Sequence, residues 1–119
     1  MEAYKTILTK DSTQFPTIQS KQVLSGVKAA ARTFDLDAQV VLFGSRARGD
    51  ARKDSDYDFL ILLHKPVDFQ LKRQVLDKLY EVELQTDCII GALIENTDDW
   101  QLMEHSPIFS EIKNEGVLV

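Results

Sequence analysis

Asp56 and Asp58, one residue apart, are the side chains in this sequence best suited to do chemistry. They open the apolar run Phe59-Leu60-Ile61-Leu62-Leu63, which reads as a strand. Residues two apart in a strand face the same way, so both carboxylates project together while Tyr57 turns to the opposite side. Acids held this close repel one another unless a cation joins them. Hard divalent ions take oxygen ligands, and magnesium combines one or two carboxylates with phosphate oxygens. The pair suits one ion, or two ions about 3.5–4 Å apart as used for in-line displacement at phosphorus. The bland alternative is a solvated turn, because an isolated Asp-x-Asp is a common string.

A second element raises the chemical reading above that alternative. The strand Val40-Val41-Leu42-Phe43 runs straight into Gly44-Ser45. A glycine there lets the backbone bend sharply and a ligand approach with no Cβ in the way. Ser45 is expected to cap a short helix starting at Arg46, whose free amides and partial positive charge suit phosphate oxygens. Arg46, Arg48, Arg52 and Lys53 crowd the connection between the two strands. They can neutralise a triphosphate or receive an acidic partner, and the competing reading is a solvated basic loop. Arg48-Gly49-Asp50 also spells a cell-adhesion tripeptide, read as coincidence in a chain with no secretion signal.

Taken jointly, Gly44-Ser45-Arg46-Ala47-Arg48-Gly49 followed by Ser55-Asp56-Tyr57-Asp58 resembles the signature of the nucleotidyltransferase superfamily, the fold of DNA polymerase beta. Within it, the string looks like the minimal nucleotidyltransferases, many of them encoded beside a HEPN-domain protein in prokaryotic toxin–antitoxin pairs. The resemblance is specific over about two dozen residues and architectural elsewhere. It implies transfer of a nucleoside monophosphate, AMP from ATP being the first choice over other triphosphates, to a hydroxyl with release of pyrophosphate. It implies nucleotide contacts by Gly44, Ser45, Arg46 and Arg48, and magnesium held by Asp56 and Asp58. It also implies a third acid on the following strand, sharing the metal or accepting the acceptor's proton. Asp87 is the choice, Glu83 the alternate, and Glu81 falls on an exposed helix face. The acceptor it suggests is a tyrosine of a HEPN-type toxin, with self-association as the other way to complete a bare catalytic domain. A rival from another class is an antitoxin or regulatory subunit that masks its partner by contact without turnover. A third is a stand-alone enzyme acting on a small molecule as a homodimer.

These residues need a scaffold, and the remaining sequence reads as one. From Ser20, a plausible cap, to about Phe34 the apolar residues recur at helical spacing. Val67 to about Val82 repeats the pattern, with Val67, Leu71, Val75, Leu79 and Val82 forming a stripe that Phe69 and Leu76 broaden. Cys88 to Ile94 reads as a third strand, with Cys88 a small buried residue. Thr97 can cap a turn holding Asp98, Asp99 and Trp100. Ser106-Pro107 begins a last helix that Gly116 closes. Trp100, Leu102, Met103, Ile108, Phe109 and Ile112 are expected to pack on the sheet. Residues 1–19 show no clear period, beyond an arm or short strand around Tyr4, Ile7 and Leu8.

The order of elements indicates an α+β (α/β two-layer) domain, a small mixed sheet flanked by helices, with 1–119 as one nucleotidyltransferase-like unit. At 119 residues there is room for one core and none for a second, acceptor-binding domain. No apolar run approaches the ~20 residues that span a bilayer, no signal peptide is visible, and one cysteine excludes an internal disulfide, so a cytoplasmic setting is expected. The net charge of −5 argues against nucleic acid as the partner of the whole surface. His64 and His105 are read as surface residues rather than catalytic ones.

Overall fold

A computed structural model of the protein describes residues 4–6 and 17–119. Its elements in chain order are β1 (Lys5–Thr6), α1 (Ile18–Arg32), β2 (Gln39–Phe43), α2 (Ser45–Arg48), β3 (Tyr57–Leu63), α3 (Phe69–Thr86), β4 (Ile90–Asn96), α4 (Thr97–Gln101), α5 (Pro107–Glu115) and β5 (Val117–Leu118). The expected strand–bend–strand unit is present as the antiparallel pair of β2 and β3, in which Phe43 lies opposite Asp58. β4 joins the other side of β3 in parallel, placing Gly91 opposite Asp58. The mixed sheet runs β1-β5-β2-β3-β4.

Alternation along β2 and β3 divides the core in two. One face carries Val40, Leu42, Tyr57, Phe59, Ile61 and Leu63, packed beneath α1 and α3 through Val23, Val27, Val75 and Leu79. The other carries Val41, Leu60 and Leu62, covered by Trp100, Phe109 and Ile112. Phe59, Leu60, Ile61 and Leu63 are fully buried, as a continuous apolar run in a strand covered on both sides should be. Helices α4 and α5 thus lie on the second face, the side to which Asp58 belongs by register.

Several local expectations shift. Thr17, not Ser20, caps α1: its Oγ1 accepts the Ser20 N–H at 3.0 Å. That frees the Ser20 hydroxyl to turn inward, 2.9 Å from the Tyr57 hydroxyl. Asp68 caps α3, which runs on to Thr86. Asn96 rather than Thr97 caps α4, accepting from both Asp98 and Asp99. Ser106, Pro107 and Gly116 frame α5 as expected. Phe69, Leu76 and Leu102 are exposed rather than packed, and Cys88 is only partly buried, two residues short of β4. The short β5 carries no sequence signal of its own. Ile7 and Leu8 lie outside the described residues.

Candidate active site

The bend after β2 is built on Gly44, whose φ of 76° and ψ of −160° belong to a region essentially confined to glycine. Ser45 is the first residue of α2 rather than its cap, which is Gly44 and has no side chain to bond the free amides. The Ala47 and Arg48 amides close on the Gly44 carbonyl, and Gly49, also at positive φ, ends the turn. Among the described residues the Ser45 hydroxyl has no hydrogen-bond partner.

Asp58 meets this bend directly. A Cβ added to Gly44 would lie 2.6 Å from Asp58 Oδ2, and one added to Gly91 would lie 3.0 Å from Oδ1. The carboxylate occupies a slot between two backbones from which side chains are missing. Burial, then the charges of Asp56 and Glu111, push its pKa above the ordinary carboxylate value, while Arg48 partly offsets them. Among the described residues no donor hydrogen-bonds the carboxylate of Asp56 or of Asp58. Two unpartnered acids on one sheet face, one of them half-buried, are an environment that a cation improves. As oxygen donors for magnesium they fit, with phosphate and water left to complete the coordination.

Tyr57, between them, points the other way as expected and is 1% exposed. Its ring lies 6.5 Å from Phe59 and under the Arg46 guanidinium, 4.4 Å from the centroid. Arg46 also donates from Nε and Nη2 to the Ser55 carbonyl, at 3.2 and 2.9 Å, and from Nη2 to Lys53 O at 3.1 Å. These contacts fasten the connection between α2 and β3, so the structure gives Arg46 a clamping task that sequence reading did not anticipate. Arg48 projects differently. It pairs with Asp50 at 3.3 Å and Glu115 at 3.1 Å, and Glu115 Oε1 also accepts the Gly44 N–H at 2.9 Å.

The candidate third acids lie apart from this meeting point. Asp87 does not open a strand: it is the exposed, left-handed C-cap of α3, with φ 55°, and its N–H bonds the Glu83 carbonyl at 2.8 Å. The Glu83 carboxylate accepts the Ile90 N–H at 2.7 Å and so fastens the start of β4. The β4 residue facing Asp58 is Gly91. No three acids, histidines or cysteines among the described residues are gathered closely enough to hold a metal, so Asp87 is not brought together with Asp56 and Asp58 here. The acids that the fold does bring toward the site, Glu111 and Glu115, come from α5 and were missed. Their four-residue spacing puts them on one helix face, but only the tertiary fold shows what that face meets. His64 binds Asp35 through its N–H at 2.6 Å, at the end of β2 remote from Gly44, and His105 is an exposed neighbour of Glu104.

A strand, a glycine-serine bend, a second strand whose Asp58 meets that bend and an exposed Asp56 immediately before that strand form an arrangement suited to phosphate chemistry. Residues 24–114 match the family model of the nucleotidyltransferase domain. The chain belongs to that family. It is also similar to a protein of Methanocaldococcus jannaschii named "putative protein adenylyltransferase", 31% identical over 81 residues, which cover 68% of this chain and 77% of that protein. No helix among the described residues is long and apolar enough to cross a membrane.

Proposed function

We propose that this nucleotidyltransferase moves AMP from ATP to a hydroxyl group on a protein, with magnesium held by Asp56 and Asp58. One observation carries the reading: the Asp58 carboxylate abuts Gly44, so the bend and the first of the strand's own acids meet at one place. The name carried by the M. jannaschii relative supports adenylyl as the group and protein as the acceptor. In the proposed step the acceptor oxygen attacks the α-phosphorus of ATP, the bond from that phosphorus to the bridging oxygen breaks, and pyrophosphate leaves. The acceptor's proton passes to a carboxylate, the role assigned by family resemblance to Asp87. Bound magnesium would screen the charge that builds on the phosphates. Ser45, the Gly44 bend and Arg48 orient the phosphates, and catalysis rests on positioning and charge stabilisation.

The acceptor we favour is a tyrosine on a HEPN-type toxin, by analogy with the minimal nucleotidyltransferases. Incubation with α-labelled ATP, magnesium and such a protein should transfer label and add the mass of one AMP. A toxin that never gains mass removes this acceptor, and label appearing in a small molecule instead would redirect the reading. A contact-only regulator has one observation in its favour: among the described residues no third acid is gathered with the pair closely enough to share a metal. Asp56→Asn with Asp58→Asn decides between them, since inhibition by contact survives that change and inhibition by modification does not.

A further inference from the structure

Helix α3 has two apolar faces. Val75, Leu79 and Val82 are buried in the core. Phe69, Leu76, Tyr80 and Leu84 are 75, 46, 58 and 67% exposed. Their spacing of seven, four and four residues lines them along one side of an 18-residue helix, about 27 Å long at 1.5 Å per residue. An exposed apolar stripe of this length, two of its four members aromatic and crossed only by Arg73 between Phe69 and Leu76, has the composition of an interface core rather than of ordinary surface.

The charges flanking the stripe indicate what covers it. The first half of α3, Phe69 to Leu76, holds Lys72 and Arg73 and no acid. The second half, Asp77 to Thr86, holds Asp77, Glu81 and Glu83 against Lys78, a net acidic segment in which Lys78 pairs with Glu81 and Glu83 accepts the Ile90 N–H. A helix basic at one end and acidic at the other is complementary to its own antiparallel copy, as a two-fold interface requires. In a parallel pair, like charges would meet.

We propose that a second copy of this chain covers the stripe, α3 packing antiparallel on α3 about a two-fold axis level with residue 78. Leu76 then lies against Tyr80 of the second copy, and the basic first half of each helix runs beside the acidic second half of the other. The stripe belongs to the layer formed by α1 and α3, and Asp58 belongs to the opposite sheet face, so the dimer leaves both acid pairs open. A single helix pair is at the small end of stable interfaces, so association falls in the micromolar range.

Sedimentation velocity on the full chain, from low micromolar to several hundred micromolar, tests this. A concentration-dependent dimer is expected, and Leu76→Asp and Tyr80→Asp should each shift it to monomer with unchanged circular dichroism, the parent's melting temperature rising with concentration and the variants' staying flat. Arg73→Glu should weaken it, without the unfolding that a core change would bring. In a Cys88→Ala background, an equal mixture of Leu76→Cys and Tyr80→Cys chains should cross-link. Phe69→Cys alone should not, because antiparallel packing holds the two copies of that residue far apart. A monomer at every concentration, a dimer that survives Leu76→Asp, or self-linking of Phe69→Cys overturns the proposal. So does capture of the stripe by a different protein while the chain alone stays monomeric.

Discussion

Arg48 Nη1 lies 3.2 and 3.1 Å from the two carboxylate oxygens of Glu115, and the nearer-spaced partner of the Gly44 amide, at 2.9 Å, is the same carboxylate. An internal anion thus holds two donors that the proposed function gives to phosphate. If it competes with nucleotide, Glu115→Gln raises affinity for ATP and magnesium several-fold, while Arg48→Ala lowers it. Isothermal titration calorimetry reads both. Weaker binding by Glu115→Gln would mean that this carboxylate positions Arg48 for the ligand instead.

Asp58→Asn should abolish transfer and stabilise the protein at neutral pH. The fold raises the Asp58 pKa, chiefly by burial, so the folded chain holds that proton more tightly than the unfolded one. As pH rises through the ordinary carboxylate value, this group then subtracts stability, and a neutral amide removes the penalty. A higher melting temperature at pH 7 with no activity is the expected pair of results, the usual exchange between stability and function at a site.

Gly44→Ala combines two faults. Its backbone angles suit glycine alone, a strain of about 1–3 kcal/mol for another residue, and its new methyl would strike Asp58 Oδ2. Thermal unfolding should show a loss of that size, and transfer activity should fall with it.

Asp87→Asn isolates chemistry from folding. Asparagine also tolerates the left-handed C-cap, so stability should stay within about 0.5 kcal/mol. If Asp87 takes the acceptor's proton, the rate falls about 10²–10⁴-fold. An unchanged rate assigns the proton elsewhere.

Asp35 gives the fold an acid-sensitive point. The His64 backbone N–H, more than any other contact, holds its carboxyl below the ordinary value. A lowered carboxylate pKa stabilises the fold above the unfolded-state value, and that contribution is lost as pH falls through the folded-state one. Asp35→Asn should therefore lower the melting temperature at pH 7, and the gap from the parent should close as pH drops below about 4.

The bend and the acid pair were legible because their chemistry is local: a glycine after an apolar strand, and two acids at strand spacing. What escaped was set by distant parts of the chain. Glu111 and Glu115 matter only because α5 returns across the sheet face that Asp58 shares. The start of β4 was misplaced because Cys88-Ile89-Ile90-Gly91 is evenly apolar, and nothing within it marks that Asp87 turns left-handed first. On α3 an apolar residue at nearly every third or fourth position made one broad stripe and two separate ones look alike, so Phe69 and Leu76 were assigned to the core.

The hydrogen bond between Ser20 and Tyr57 has a consequence for how a mutational survey of this enzyme would read. Tyr57 stands between the two acids proposed to hold magnesium, yet its own hydroxyl bonds a helix on the far side of the sheet from Asp58. Swapping Ser20 for a residue without a hydroxyl would tilt the strand's reference point from behind, and damage would surface as poor catalysis at a place no substrate ever touches.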